Sequence, residues 1–385
     1  MFERILIKSG SNSQEQFLSI VDLVDMMFYF GEVHAVVSQF ELSQLLNTFG
    51  EDVLYELIIS KRLIIHPCDQ HIGASIYDDH VSVGLFMRNF QSVDELLFNF
   101  HKETVNDHNE NKRFAERFSK VLHEYRYPKE IQHSLYSDIE NEDLLSQAAQ
   151  VFIKQYYPSY QNIEDIHVKA YPSVSSFMPF YKIDGNLRVN ELNAIHQKNG
   201  YNGTFGYSSI LLAIGETNID CYLASELSAE MIANKRWIEV YKLRMNEAIK
   251  QAEGSLENID HFQEMAACDF LSPGQAFIDG LFSPQDLLMD LNSKDSIKFR
   301  EWLSTIPNGK PLTGEIYKEI QEMNSNKLWV KCMRSLAQVL TGIINPVLGA
   351  THTFLDGFVG DRIVNGWKPS MFISNILTKD NLKKY

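Results

Sequence analysis

One short run of the sequence gathers residue types that can do chemistry. His101-Lys102-Glu103-Thr104-Val105-Asn106-Asp107-His108-Asn109-Glu110 holds two imidazoles among several acids, a mixture suited to general acid/base work or metal binding. Seven of the twelve histidines lie in residues 1–130, more than their share by length. On one helix His101 and His108 would share a face two turns apart, with Asp107 and Glu110 nearby. A metal needs neutral imidazoles and carboxylates converging on one point, and the i,i+4 histidine pair of helical zinc sites is absent here. The plainer reading is a solvated helix end or loop. His101, Asp107, His108 and Glu110 are the candidate catalytic residues; no metal and no cofactor is expected. Asp78-Asp79-His80 reads as a turn after a strand. There is no Gly-x-Ser-x-Gly elbow, and spacing ties no serine to a His/Asp pair.

A second candidate is the glycine-bearing stretch Gly200-Tyr201-Asn202-Gly203-Thr204-Phe205-Gly206-Tyr207-Ser208-Ser209, which precedes a helical pattern. Such a loop can aim backbone N–H groups at an anion. It lacks the Gly-Lys-Ser/Thr ending of a P-loop and is not G-x-G-x-x-G. Lys198, Gly203, Gly206 and Ser208 form the candidate anion-binding set. The competing reading is a plain connection with Ser208 as helix N-cap.

Cys68, Cys221, Cys268 and Cys332 are widely separated, with no C-x-x-C pair. That disfavours a thiolate zinc site and a disulfide framework, and they read as reduced, mostly buried small hydrophobes. The first residues, Met1 to Lys8, alternate like a strand, with no basic stretch leading into a long apolar run. A cytoplasmic protein is the expectation.

These residues must be positioned by a chain of 385 residues that is 44% hydrophobic and carries a formal net charge of −15. The apolar fraction excludes wholesale disorder, and the acidity argues against nucleic acid. The periodicity gives an α+β, predominantly helical fold. An N-terminal α/β module occupies 1–130. Within it Ser13 and Gln16 mark a capping box, helices follow at Leu42–Leu46 and Val53–Ile58, and residues 62–77 read as two strands about a Pro67/Asp69 turn. Two helices and a hairpin outline a winged-helix-like stretch, although Glu51, Asp52 and Glu56 would repel DNA from its second helix. Ser92 and Glu95 mark another capping box, and Phe114, Phe118, Val121, Leu122 and Tyr125 an apolar stripe. Polar, Pro128-containing 126–143 is the expected linker or surface loop. A larger, mostly helical domain follows over 144–385. It holds a β-hairpin near 179–190 about Asp184-Gly185, a type I′ turn signal, and helices begun at Ser272-Pro273 and Ser283-Pro284.

The C-terminus is the unusual part. Residues 335–355 contain no Asp, Glu, Lys or Arg. Residues 327–385 hold eight basic and three acidic groups, a net of +5, so residues 1–326 carry −20. An uncharged stretch of this length meets the crude criterion for a membrane span, but Gln338, Asn345 and His352 are costly in hydrocarbon and Pro346 breaks the helix. The favoured reading is a buried apolar helical hairpin over 327–365, with membrane contact through 335–360 and an oligomer interface as alternatives. Lys331, Arg334, Pro346, Arg362, Trp367 and Lys368 are its candidate interaction residues. Without a catalytic signature, the leading functional expectation is a soluble interaction or effector protein, acting through self-association or a protein partner. The alternatives are a trigger-dependent membrane-engaging protein, and a hydrolase or nucleotide-handling enzyme with a non-standard site.

Overall fold

The strand expected at the start of the chain is β1 (Arg4–Lys8). Helix α1 (Ile20–Tyr29) follows it and leads into β2 (Glu32–Val37), parallel to β1 with Arg4 opposite Glu32 and Lys8 opposite Val36. Helices α2 (Gln39–Phe49) and α3 (Glu51–Ile59) then lead to β3 (Leu63–Pro67), parallel to β2. Much later, a two-residue strand, β8 (Glu230–Met231), pairs with the free edge of β1. The four form a parallel sheet in the order β3-β2-β1-β8. The computed structural model that gives this arrangement describes residues 3–8, 18–77, 80–87, 92–173, 180–201, 203–231, 237–244 and 273–304.

Both faces of this sheet are covered, which is why its strands read as nearly continuous apolar runs. Ile5, Ile7, Val33, Ala35, Val37, Leu63 and Ile65 point into one core, and Leu6 and Val36 into a second. Helix α2 starts on a capping box. The Ser38 hydroxyl accepts the Glu41 N–H, and the Glu41 carboxylate accepts the Ser38 N–H at 2.7 Å. The other oxygen of that carboxylate accepts the Leu18 N–H at 2.8 Å. Fully buried Glu41 therefore pins the approach to α1 against the start of α2. Gly50, at φ +76°, turns the chain from α2 into α3.

The second sheet is antiparallel, in the order β4-β5-β7-β6: β4 (Gln70–Tyr77), β5 (His80–Met87), β6 (Val168–Ser173) and β7 (Phe180–Gly185). Between its halves come α4 (Val93–Lys102), α5 (His108–Ser119), α6 (Lys129–Glu140) and α7 (Glu142–Tyr156); α8 (Val189–Lys198) and α9 (Tyr207–Glu226) follow it. Helix α9 is buried on nearly every side, from Ile210 to Leu223, and runs between the two sheets. Gly215 lets it approach β4: a Cβ there would lie 2.1 Å from Ile72 Cδ1. The chain then returns to the first core through α10 (Pro273–Ile278), α11 (Pro284–Leu291) and α12 (Lys294–Ser304), which contribute Phe277, Leu287, Leu291 and Phe299. Core membership is thus not continuous along the chain.

The α+β, mostly helical class is what the structure has. Capping boxes at Ser92/Glu95 and at Ser283, ahead of Pro284, are in place; Ser13/Gln16 and Ser272 lie outside the described residues. Three local expectations are overturned. Residues 62–77 make no hairpin, and hence no winged helix: β3 pairs with β2, whereas β4 pairs with β5 over its whole length. Cys68 and Asp69 carry the chain between sheets, because Leu63 and Ile65 are needed in the first core and Ile72 in the second. Asp184-Gly185 is not a turn but the end of β7, paired with Lys169 and Val168. The hairpin lies one strand earlier, between β6 and β7. Asn186 ends β7 by folding back: its Oδ1 accepts the His167 N–H and its Nδ2 donates to the Asp165 carbonyl. Lastly, much of 126–143 is helix α6 rather than linker or loop, with Ile131, Leu135 and Ile139 fully buried at i, i+4 and i+8. Pro128 is its N-cap, a position where a missing N–H costs nothing.

The close approach of α9 predicts that Gly215→Val destabilises the protein by about 1–3 kcal/mol, because Ile72 and Leu135 leave no room for a branched side chain. Urea unfolding followed by circular dichroism measures the loss.

Candidate functional site

The parallel sheet grows from β1 to β2 and β3 on one side, then resumes with β8 on the other. The strand order thus reverses at β1. In open parallel sheets the crevice outside the carboxyl ends of the strands at such a reversal is where ligands sit. The residue that ends β1 there is Lys8. Its Nζ lies 2.6 Å from Asp220 Oδ1 and 2.9 Å from Glu216 Oε2. Those two acids are one helical turn apart on α9, and so present both carboxylates to one point. The Tyr241 hydroxyl donates to the other oxygen of Asp220. Tyr127 and Cys68 close the cluster from the stretches that follow α5 and β3.

Burial pulls the Lys8 ammonium toward neutrality, but Asp220 and Glu216 outweigh it and hold its pKa well above the ordinary lysine value. Burial pushes the Tyr127 and Tyr241 phenols well above their usual value, and neighbouring Asp220 adds to both. The Cys68 thiol is raised by burial too. Lys8 is therefore a fixed cation rather than a base or amine nucleophile, the phenols are protonated hydrogen-bond donors, and Cys68 is a thiol. Glu216 is the more open of the two carboxylates, its side chain 26% exposed against 12% for Asp220. Elsewhere on α9, burial pushes Cys221 up to about 11, so it is no thiolate either.

The same sheet face carries a second polar group. His34 of β2 and His66 of β3 stack with ring centroids 5.3 Å apart, and His34 Nδ1 lies 3.0 Å from His66 Nε2. One ring must donate and the other accept. Burial lowers both imidazoles; for His66, burial and then its neighbour His34 bring it to about 4, while Glu32 partly offsets the effect at His34. Tyr125 packs edge-on against His66 and donates its hydroxyl to Glu226 Oε2 at 2.6 Å. Among the described residues, no three His, Cys, Asp or Glu side chains are placed to hold a metal ion.

The candidates read from sequence lie elsewhere, on separate elements. His101 and His108 do not share a helix: His101 is near the end of α4, and His108 opens α5. The chain breaks there because Asp107 caps α5, accepting the Asn109 and Glu110 N–H groups at 2.8 and 3.1 Å. Those N–H donors, Glu110's foremost, lower the pKa of the exposed Asp107 carboxyl. His101 is buried, stacked on Phe114, with Nδ1 2.7 Å from Asn111 Oδ1 and Nε2 3.2 Å from Glu51 Oε1. It ties three helices together. His108 and Glu110 are exposed. In the glycine loop, Gly206 and not Ser208 is the N-cap of α9; Ser208 lies inside the first turn. Gly200 and Gly203 take positive φ, and Phe205 is clamped to α8 through Asn193, whose side chain bonds both its N–H and its carbonyl. Phe205 is in the second core, and Lys198 is exposed at the end of α8. Lys331, Arg334, Pro346, Arg362, Trp367, Lys368 and the whole 327–365 segment lie outside the described residues.

Sequence reading missed Lys8, Glu216 and Asp220. The available signal was two acids four apart inside the mostly apolar Ile210–Leu223 run, and a lysine closing an apolar strand. No protein-family model matches the chain, and no curated protein or solved structure is significantly similar to it.

The histidine pair has a pH consequence. Its folded-state values are depressed, so the stability it contributes is complete above about pH 6.5 and is lost as pH falls toward about 4. The urea midpoint is expected to fall across that window, and to fall less in His66→Phe than in the wild type. Equal slopes in the two proteins would remove the pair as the cause.

Proposed function

We propose that the chain is a ligand-handling protein of the nucleotide-handling or hydrolase kind, which takes a small polar molecule at the carboxyl edge of its parallel sheet, beside Lys8. The observation that carries this is the buried Lys8–Glu216–Asp220 group at the point where the strand order reverses. A buried ion group is a poor way to gain stability, because desolvation consumes most of the Coulombic gain. Its place in the one crevice where parallel sheets bind ligands supports a functional role. In this reading Lys8 supplies a fixed positive charge, Asp220 and Tyr241 hold it in place, and Glu216 is the group open enough to exchange a proton or accept a hydrogen bond.

The test is calorimetric titration of the full chain with AMP, ADP, ATP and NAD. At least one is expected to bind, and Glu216→Gln is expected to weaken it about tenfold or more, the loss of one charge-assisted hydrogen bond. Lys8→Met leaves two carboxylates facing each other and is expected to cost about 3–5 kcal/mol of stability. Absence of binding by the whole panel counts against the nucleotide form of the proposal.

A second reading, self-association or docking to a protein partner, is supported by apolar side chains exposed on the last helices: Ile278, Met289 and Ile297. Light scattering of the full chain tests it, and a strict monomer at every concentration sinks the self-association form. No helix among the described residues is long and apolar enough to cross a membrane.

A further inference from the structure

The opposite, amino edge of the parallel sheet carries two arginines that make no ion pair with a described residue. Arg62 immediately precedes β3, and Arg300 comes from α12, the helix that packs against α1. Arg62 donates Nη1 to the Gly31 carbonyl at 3.1 Å, and Arg300 donates Nη2 to the Leu291 carbonyl at 2.9 Å. Neither makes an ion pair with any described residue. Arg300 is 7% exposed, and its Nη1 is buried without a hydrogen-bond partner among the described residues. Burial lowers its pKa to about 9, and the repulsion from Arg62 outweighs the attraction of Glu301. Burial also lowers Arg62.

Folding does not tolerate such an arrangement cheaply. An orphaned guanidinium N–H forfeits its hydration, and like charges near enough to repel in a poorly solvated place raise that cost. Backbone carbonyls satisfy one nitrogen of each group but neutralise no charge. A tetrahedral oxyanion would do both, because guanidinium forks match phosphate oxygens in spacing and direction. We propose that Arg62 and Arg300 form a phosphate-binding site at the amino edge of the sheet, distinct from the Lys8 crevice at its carboxyl edge. The ligand is a phosphate group, either free or borne by a nucleotide. Half-buried Arg62 is its point of entry, and Arg300 the anchor beneath.

The experiment is thermal unfolding of the full chain in phosphate-free buffer against added inorganic phosphate or AMP, with sodium chloride at matched ionic strength. Phosphate at about a hundred times its dissociation constant is expected to raise Tm by on the order of 5–10 °C beyond the chloride control. Because AMP is also proposed to bind beside Lys8, a rise with AMP but not phosphate supports this site only where Arg62→Gln removes it, and overturns it where the rise persists. Arg62→Gln should abolish the rise while leaving Tm in chloride within about 2 °C. Arg300→Met should abolish it too, and should raise Tm in phosphate-free buffer by relieving an uncompensated buried charge. If Arg300→Met does not fold, Arg62→Gln decides. No rise with either anion, or an undiminished rise in Arg62→Gln, overturns the proposal.

Discussion

An ammonium group at the end of an otherwise buried strand imposes a condition on everything around it. Ile5, Leu6 and Ile7 fix β1 between two cores, so Lys8 cannot swing into open water. Carboxylates must come to it, and α9 brings two of them from more than two hundred residues away in sequence. That requires α9 to lie against the sheet at one rotation and one depth. Its depth is set by Gly215 against Ile72, and its rotation by Ile210, Leu211, Ile214 and Leu223 in the second core. The ion group and the apolar packing specify the same arrangement, and consistency of that kind marks a foldable sequence.

Neighbouring polar groups extend this layer across the interface. Tyr241 bonds Asp220, while Arg244 reaches Asp138 on α6 at 2.6 Å and the hydroxyl of Thr217 at 2.8 Å. Asn218 links the same Asp138 to Ser134. Helix α9 is thus held by hydrogen-bonded charge on the side of β1 and again on the side of α6, with apolar contacts between. Such networks contribute modestly to net stability but heavily to uniqueness, since a shifted helix would leave several buried groups unpaired at once.

The two sheets divide the work by geometry. The parallel one, with both faces covered, has charge at its two edges: Lys8 with its acids at one, Arg62 and Arg300 at the other. The antiparallel one braces α6, α7 and α9. The return of α10–α12 to the first core means that residues near the two ends of the described chain pack into one unit.

Local chemistry was readable without coordinates wherever the signal was local. Ser92/Glu95 and Ser283-Pro284 start helices because a cap needs only residues within one turn. The α+β, mostly helical class follows from adding such signals. Sequence misled where partner choice mattered. Asp184-Gly185 has the right types for a turn, yet β6 offered both residues ladder partners. Residues 62–77 form strands that belong to different sheets, and the run from His101 to Glu110 divides between two helices and gathers no site. The sequence by itself determined the capped helix starts and which faces are apolar, because these depend on neighbours a few residues away. Only the tertiary structure decided that Lys8, Glu216 and Asp220 meet. Charges brought together across two hundred residues are selected by the packing of whole elements, and spacing along the chain carries no trace of it.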